Sequence, residues 1–156
     1  MKGAVAIKAD SKANYNNEHI ELSDRVIHQL YQTTRAMTKS LNQLLEAYGL
    51  FSSEWTVINS IKLHGEMTQS ALADYLNIEP AAISKSLSKL EKKGFIERRT
   101  GEDKREKYVF LSQTALRQYP EWSRAIAKHR EQTLTVLPAE EQKKLVLLLD
   151  KIRAKV

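Results

Sequence analysis

Ala81, Ala82, Ser84 and Lys85 crowd into five consecutive positions, and Lys89 follows one helical turn later. Small and basic side chains at that spacing suit a helix that slides into the major groove of duplex DNA. They leave room for base edges and attract phosphates, where bulky or acidic groups would clash or repel. Thr68 and Gln69 stand where a preceding short helix begins, so their side chains and the helix-start amides are placed to touch the DNA backbone. Downstream, Arg99, Asp103, Lys104 and Arg105 lie in a dense charged stretch. Arg105, with Lys104, is the expected minor-groove contact, where negative potential is strongest over narrow A·T-rich segments. Asp103 is expected to pair with a neighbouring Arg and, with Arg99, to shape the loop rather than touch DNA.

The elements that would carry these residues are legible around them. At 100° per residue, Ile83, Leu87 and Leu90 fall on one narrow stripe of a helix. Ala81, Lys85, Ser88 and Lys92 lie opposite, with Ser84 and Lys89 on the flanks. Pro80 suits the first helical position and Gly94 the left-handed position just past the end. Upstream, Thr68 can cap a helix that buries Ala71, Leu72, Tyr75 and Leu76. The segments 95–99 and 107–111 read as two short strands, joined by a loop that starts near Gly101. A β-hairpin directly after a groove-reading helix is a wing. An ordinary helical hairpin with a solvated Lys-rich face would not need one.

At these residues the chain resembles the MarR family of bacterial transcriptional regulators. The resemblance is carried by Gln69-Ser70-Ala71-Leu72-Ala73, Pro80-Ala81-Ala82-Ile83-Ser84-Lys85, the run from Leu90 to Arg99, Asp103-Lys104-Arg105 and Val109-Phe110-Leu111-Ser112. The flanks Gly49 to Trp55 and Leu137 to Glu141 extend it, so it covers nearly everything from about residue 20 onward. Three positions depart from the family pattern. The wing between Arg99 and Asp103 is about one residue short, Glu79 replaces a Ser or Thr cap, and Ala115 replaces a Gly. The resemblance implies a small, often aromatic or phenolic effector that weakens DNA binding; the residues themselves indicate no pocket for it.

Charge is concentrated where this geometry wants it. The 156-residue chain has 25 Lys+Arg against 19 Asp+Glu, a net charge of +6. Nine of the basic residues and five of the acidic ones lie between Ile83 and Lys107, which puts most of the excess in the recognition helix and wing. No cysteine is present, which excludes disulfides and thiolate chemistry. No apolar run approaches 18 residues and no signal-peptide layout opens the chain, so no membrane partner and a cytoplasmic location are expected.

Catalytic constellations are missing. His19, His28, His64 and His129 are scattered, and neither a Gly-rich phosphate loop nor a nucleophile elbow occurs. Glu140 and Glu141 fit the first turn of a helix better than a reacting carboxylate pair. The expectation is a non-enzyme with no catalytic, metal or cofactor residues.

Long apolar seams frame the charged centre. Leu30, Thr34, Met37, Leu41, Leu44 and Tyr48 recur at four- and three-residue steps, and Tyr119, Trp122, Ile126, His129 and Thr133 repeat the rhythm. Leu145, Leu148, Leu149 and Ile152 continue it on a final helix that Pro138 helps start. Pro120 is expected to kink or restart the helix after the wing. A small winged domain cannot cover so much apolar surface, so a homodimer of intertwined terminal helices is the economical solution.

The fold expected is mainly α with a small β-hairpin wing, a winged helix–turn–helix between long dimerisation helices. Its parts are a frayed tail over 1–18, an N-terminal dimerisation helix over 19–51, the DNA-binding region over 52–111 and C-terminal dimerisation helices over 112–156. The function expected is a regulator, most simply a repressor, that binds a pseudo-palindromic operator as a homodimer and answers to a small-molecule effector. The alternative is a winged-helix interaction or assembly module that does not read sequence.

Overall fold

The structure is a computed structural model that describes residues 22–103 and 106–156. The expected tail over 1–18 and the wing residues Lys104 and Arg105 lie outside the described residues. The chain divides into two units, 1–39 and 40–156. The described part of the first is helical and largely exposed, with Leu22, Val26, Ile27, Tyr31 and Met37 all open to solvent.

The elements follow the expected order. Helix α1 (Leu22–Leu45) ends in a 3-10 turn (Glu46–Tyr48) and is followed by α2 (Ser52–His64), β1 (Met67–Thr68), α3 (Gln69–Leu76) and α4 (Pro80–Lys92). The hairpin of β2 (Ile96–Thr100) and β3 (Lys107–Leu111) comes next, then α5 (Gln113–Leu134) and α6 (Ala139–Arg153). The small sheet is antiparallel with strand order β1-β3-β2. Its third strand was not expected. Met67 pairs with Val109 and Thr68 with Tyr108, so the residue that caps α3 is also the end of a strand laid against the wing. Two residues are too short for a period-2 pattern to announce a strand.

The second unit closes around one apolar core. Leu72 from α3, Ile83, Leu87 and Leu90 from α4, Ile96 and Val109 from the hairpin, and Trp55 and Ile58 from α2 are all buried, as are Trp122 and Ile126 of α5. The stripe read on α4 is thus the face it buries, and removing most of Leu87 would cost about 2–5 kcal/mol. The α3 stripe is corrected by one position. Leu72 and Ala73 are buried and Leu76 half-buried, whereas Ala71 and Tyr75 are exposed. In a helix of two turns the buried face is set by α4 and the sheet on either side. Tyr75 instead meets His64 edge-on at the surface, ring centroids 4.5 Å apart.

Pro120 does not restart the helix. Helix α5 runs unbroken from Gln113 to Leu134 with Pro120 exposed inside it. An interior proline costs about 3 kcal/mol, but burying side chains such as Trp122 and Ile126, two and six residues on, returns about 1.5–3 kcal/mol apiece. Helix α6, by contrast, has no buried residue among the described part of the chain. Leu145, Leu148, Leu149 and Ile152 are all at least 38% exposed.

Candidate nucleic-acid interface

Three chain reversals aim the proposed reading helix. At the first, Thr68 caps α3: its hydroxyl accepts the Ala71 N–H at 3.1 Å and lies 3.2 Å from the Ser70 hydroxyl. Gln69 is then the first helical residue, as expected. At the second, Asn77 adopts a left-handed conformation (φ 50°) and closes α3, and the Ile78 N–H reaches back to the Ala73 carbonyl at 3.0 Å. Asn tolerates this backbone better than other side chains, which gives the tight corner between the two helices. Pro80 then starts α4. Glu79 at the cap makes no side-chain bond, in keeping with the missing Ser or Thr. At the third, Gly94 (φ 72°) ends α4, and the Phe95 N–H bonds the Leu90 carbonyl at 3.0 Å.

Between these reversals α4 turns Ala81, Ala82 and Lys85 to solvent, with Ser84 half-buried. Lys89 is exposed too, and its ammonium lies 5.7 Å above the Phe51 ring. Thr68, Gln69 and Ser84 come together around a cleft of about 400 Å³ that Arg98 and Lys107 of the hairpin also line. The structure therefore brings the α3 start, Ser84 of α4 and the wing base together, whereas Ala81, Ala82, Lys85 and Lys89 do not line that cleft.

Several residues that hold this surface in shape carry no role in the sequence reading. Arg98 pairs with Glu91 at 3.3 Å and donates to the Ser88 hydroxyl at 3.2 Å, which fastens β2 to α4. Arg99, expected to shape the wing, meets a partner ahead of β1. It donates two hydrogen bonds to Glu66, at 2.5 and 2.6 Å. That contact holds the Glu66 carboxyl below its ordinary range and raises the already high Arg99 value. The Tyr108 hydroxyl donates to Glu106 at 3.2 Å, and that bond pushes its pKa above the usual phenol value. Asp103 contributes its backbone carbonyl to the turn, accepting the Glu106 N–H at 2.9 Å. Gly101 is dictated by space: a Cβ there would lie 2.9 Å from Tyr108 Cε2 and 3.3 Å from Glu106.

Glu54 is the one buried carboxylate in the described residues, and it faces Lys93 at the end of α4. Both residues fall inside the motif-bearing segments, but nothing in their spacing ties position 54 to position 93. His64 lies exposed at the end of α2. Among the described residues no group of three or more His, Asp or Glu side chains could hold a metal ion. No helix among them is long and apolar enough to cross a membrane.

Comparison with known proteins agrees with this architecture. Residues 50–107 match the model of the MarR family. The uncharacterized HTH-type transcriptional regulator YwoH of Bacillus subtilis (strain 168) is 36% identical over 129 residues, which cover 83% of this chain and 90% of the relative. Among solved structures, the organohalide-sensing transcriptional regulator RdhR-CbdbA1625 in its 2,4-dichlorophenol-bound form superposes with a TM-score of 0.83 at 23% identity, over 90% of this chain and 85% of that one. A mutant MarR from E. coli complexed with operator DNA gives a TM-score of 0.77 at 22% identity, over 85% of this chain and 99% of that one. At these identities the two structures speak for the fold, while the family rests on the sequence matches. The chain is a transcriptional regulator of the MarR family, not an enzyme.

Proposed function

We propose that this regulator binds a pseudo-palindromic operator as a homodimer and acts as a repressor. The observation that carries the reading is the division of α4 into two faces. Ile83, Leu87 and Leu90 are spent on the core, which leaves Ala81, Ala82 and Lys85 exposed at the end nearest the α3 start. A helix so divided can enter a major groove N-terminal end first, with Ser84 and Lys85 toward base edges and Lys89 toward phosphate. Thr68 and Gln69 contact the backbone, Arg105 with Lys104 reaches the adjacent minor groove, and Asp103 with Arg99 shapes the loop that delivers them.

Dimerisation is supported by α6. A helix whose leucines are left uncovered by the described residues needs a partner, and a second copy supplies one with the two-fold symmetry of an operator. Response to a small aromatic molecule is supported by the dichlorophenol complex of the neighbour described above.

The direct test is binding of the purified protein to the promoter fragment upstream of its own gene, against unrelated duplex of equal length. The reading expects the promoter to be bound at least about a thousandfold more tightly at physiological salt. Equal affinity for both would overturn it in favour of a winged-helix assembly module.

A further inference from the structure

The Lys93 ammonium is fully committed. It donates to both carboxylate oxygens of Glu54, at 2.8 and 2.6 Å, and to the Gly49 carbonyl at 2.8 Å, which accounts for its three protons. It also stands 5.4 Å above the Phe51 ring. Glu54 is 1% exposed and accepts the Phe51 N–H at 2.9 Å as well, so its charge is compensated on every side. Gly49 closes the 3-10 turn after α1, Phe51 and Glu54 begin α2, and Lys93 caps the C-terminal end of α4. Three helix ends are thereby joined at one ammonium.

We propose that Lys93 is a positioning residue for sequence reading. By tying the C-terminal end of α4 to the junction between α1 and α2, it sets the angle at which the opposite end meets the bases. Leu87, buried near the middle of α4, is the natural pivot. Lys93 and Ala81 each lie six residues from it, about 9 Å along the axis. A shift of about 1 Å at Lys93 therefore becomes about 1 Å at the reading end, enough to spoil bidentate hydrogen bonds to a base edge. A lysine with no proton to spare does not serve as a phosphate contact, which sets Lys93 apart from Lys89. The inference rests on the DNA-binding reading above.

The experiment replaces the pair together, because Lys93→Met alone would strand a buried carboxylate. Glu54→Gln/Lys93→Met leaves an acceptor for the Phe51 amide and an aliphatic stem over the Phe51 ring. Both proteins are titrated with the duplex that the wild type enriches from a random-sequence library, and with a scrambled duplex of the same length, at several salt concentrations. Thermal unfolding is recorded alongside. The expected result is a folded variant that keeps the wild-type affinity and salt slope on scrambled DNA but loses about tenfold or more on the enriched duplex. Lys93→Arg in the presence of Glu54, which keeps the charge and several donors, should retain most of the wild-type discrimination.

An unchanged specificity ratio in a folded variant overturns the inference. So does an equal loss on both duplexes with the salt slope reduced by about one unit, which would make Lys93 a phosphate contact. If the double variant unfolds, Glu54→Gln, which leaves only the part-exposed Lys93 ammonium to be solvated, takes its place under the same criteria. A wild type that enriches no sequence at all overturns the DNA-binding reading itself, a different outcome from an indifferent variant.

Discussion

Arg99 reaches over the face of Tyr108 to hold Glu66, its guanidinium carbon 5.5 Å from the ring centroid. Glu66 precedes β1, Arg99 sits on β2 and Tyr108 on the strand between them, so the pair laces the small sheet from edge to edge. Its hydrogen bond keeps the Glu66 carboxyl below the ordinary range. A carboxylate whose folded-state value is depressed contributes stability that is complete above its unfolded value, about 4.3, and is lost as pH falls through the folded one. The expected effect on the wing is therefore confined to acid, and it is small because both groups face water. Carboxyl NMR should show Glu66 titrating low in the wild type and in the ordinary range in Arg99→Met. An identical titration in both would remove the clamp from the account.

Lys85 and Lys89 should separate by what they touch. Lys85→Ala is expected to lower discrimination between operator and scrambled duplex by about 1–3 kcal/mol, with non-specific affinity little changed. Lys89→Ala should weaken both about equally and flatten the salt slope by about one unit. Titrations across a salt series distinguish the two; equal specificity ratios for the variants would undo the assignment.

Gly101 offers a structural test of the wing. Its φ is not left-handed, so the constraint is the 2.9 Å approach of an added Cβ to Tyr108. Gly101→Val should force the ring or the strand to move, cost about 1–3 kcal/mol by overpacking, and weaken operator binding. Thermal unfolding together with a binding titration checks both. Wild-type values in each would mean that the hairpin end is free to shift without consequence.

How much of this was legible beforehand depended on range. The α4 stripe at Ile83, Leu87 and Leu90, the Thr68 cap and the Gly94 stop are encoded within a few residues, and each stands in the structure where its spacing put it. What depends on distant partners was not readable. Ala73 rather than Ala71 is buried because α4 and the sheet close over it, and α5 survives Pro120 because the core takes up Trp122 and Ile126. Glu66 with Arg99 and Glu54 with Lys93 are pairs 33 and 39 residues apart. A single sequence shows the charges but not which of them meet. The basic face of α4 was visible from its residue types, whereas the contacts that orient it were not.

Helix α6 should be an obligatory interface. Leu148→Glu combined with Ile152→Glu places charge on a face that the described residues leave exposed, so the protomer should stay folded while the dimer dissociates. Removal of the chain from Pro138 onward should abolish both dimerisation and DNA binding. Sedimentation at micromolar concentration is the check. A wild type that already sediments as a well-folded monomer of about 18 kDa contradicts the symmetric reading.

The central claim is that α4 of each copy reads one half of a symmetric operator. Selection from a random-sequence duplex library by the purified full chain tests it most directly. The account predicts enrichment of an inverted repeat whose half-site centres lie about 10 base pairs, one helical turn, or a multiple of it apart. Binding of the whole library with no enriched sequence, or enrichment of a single asymmetric half-site by a monomer, would contradict it.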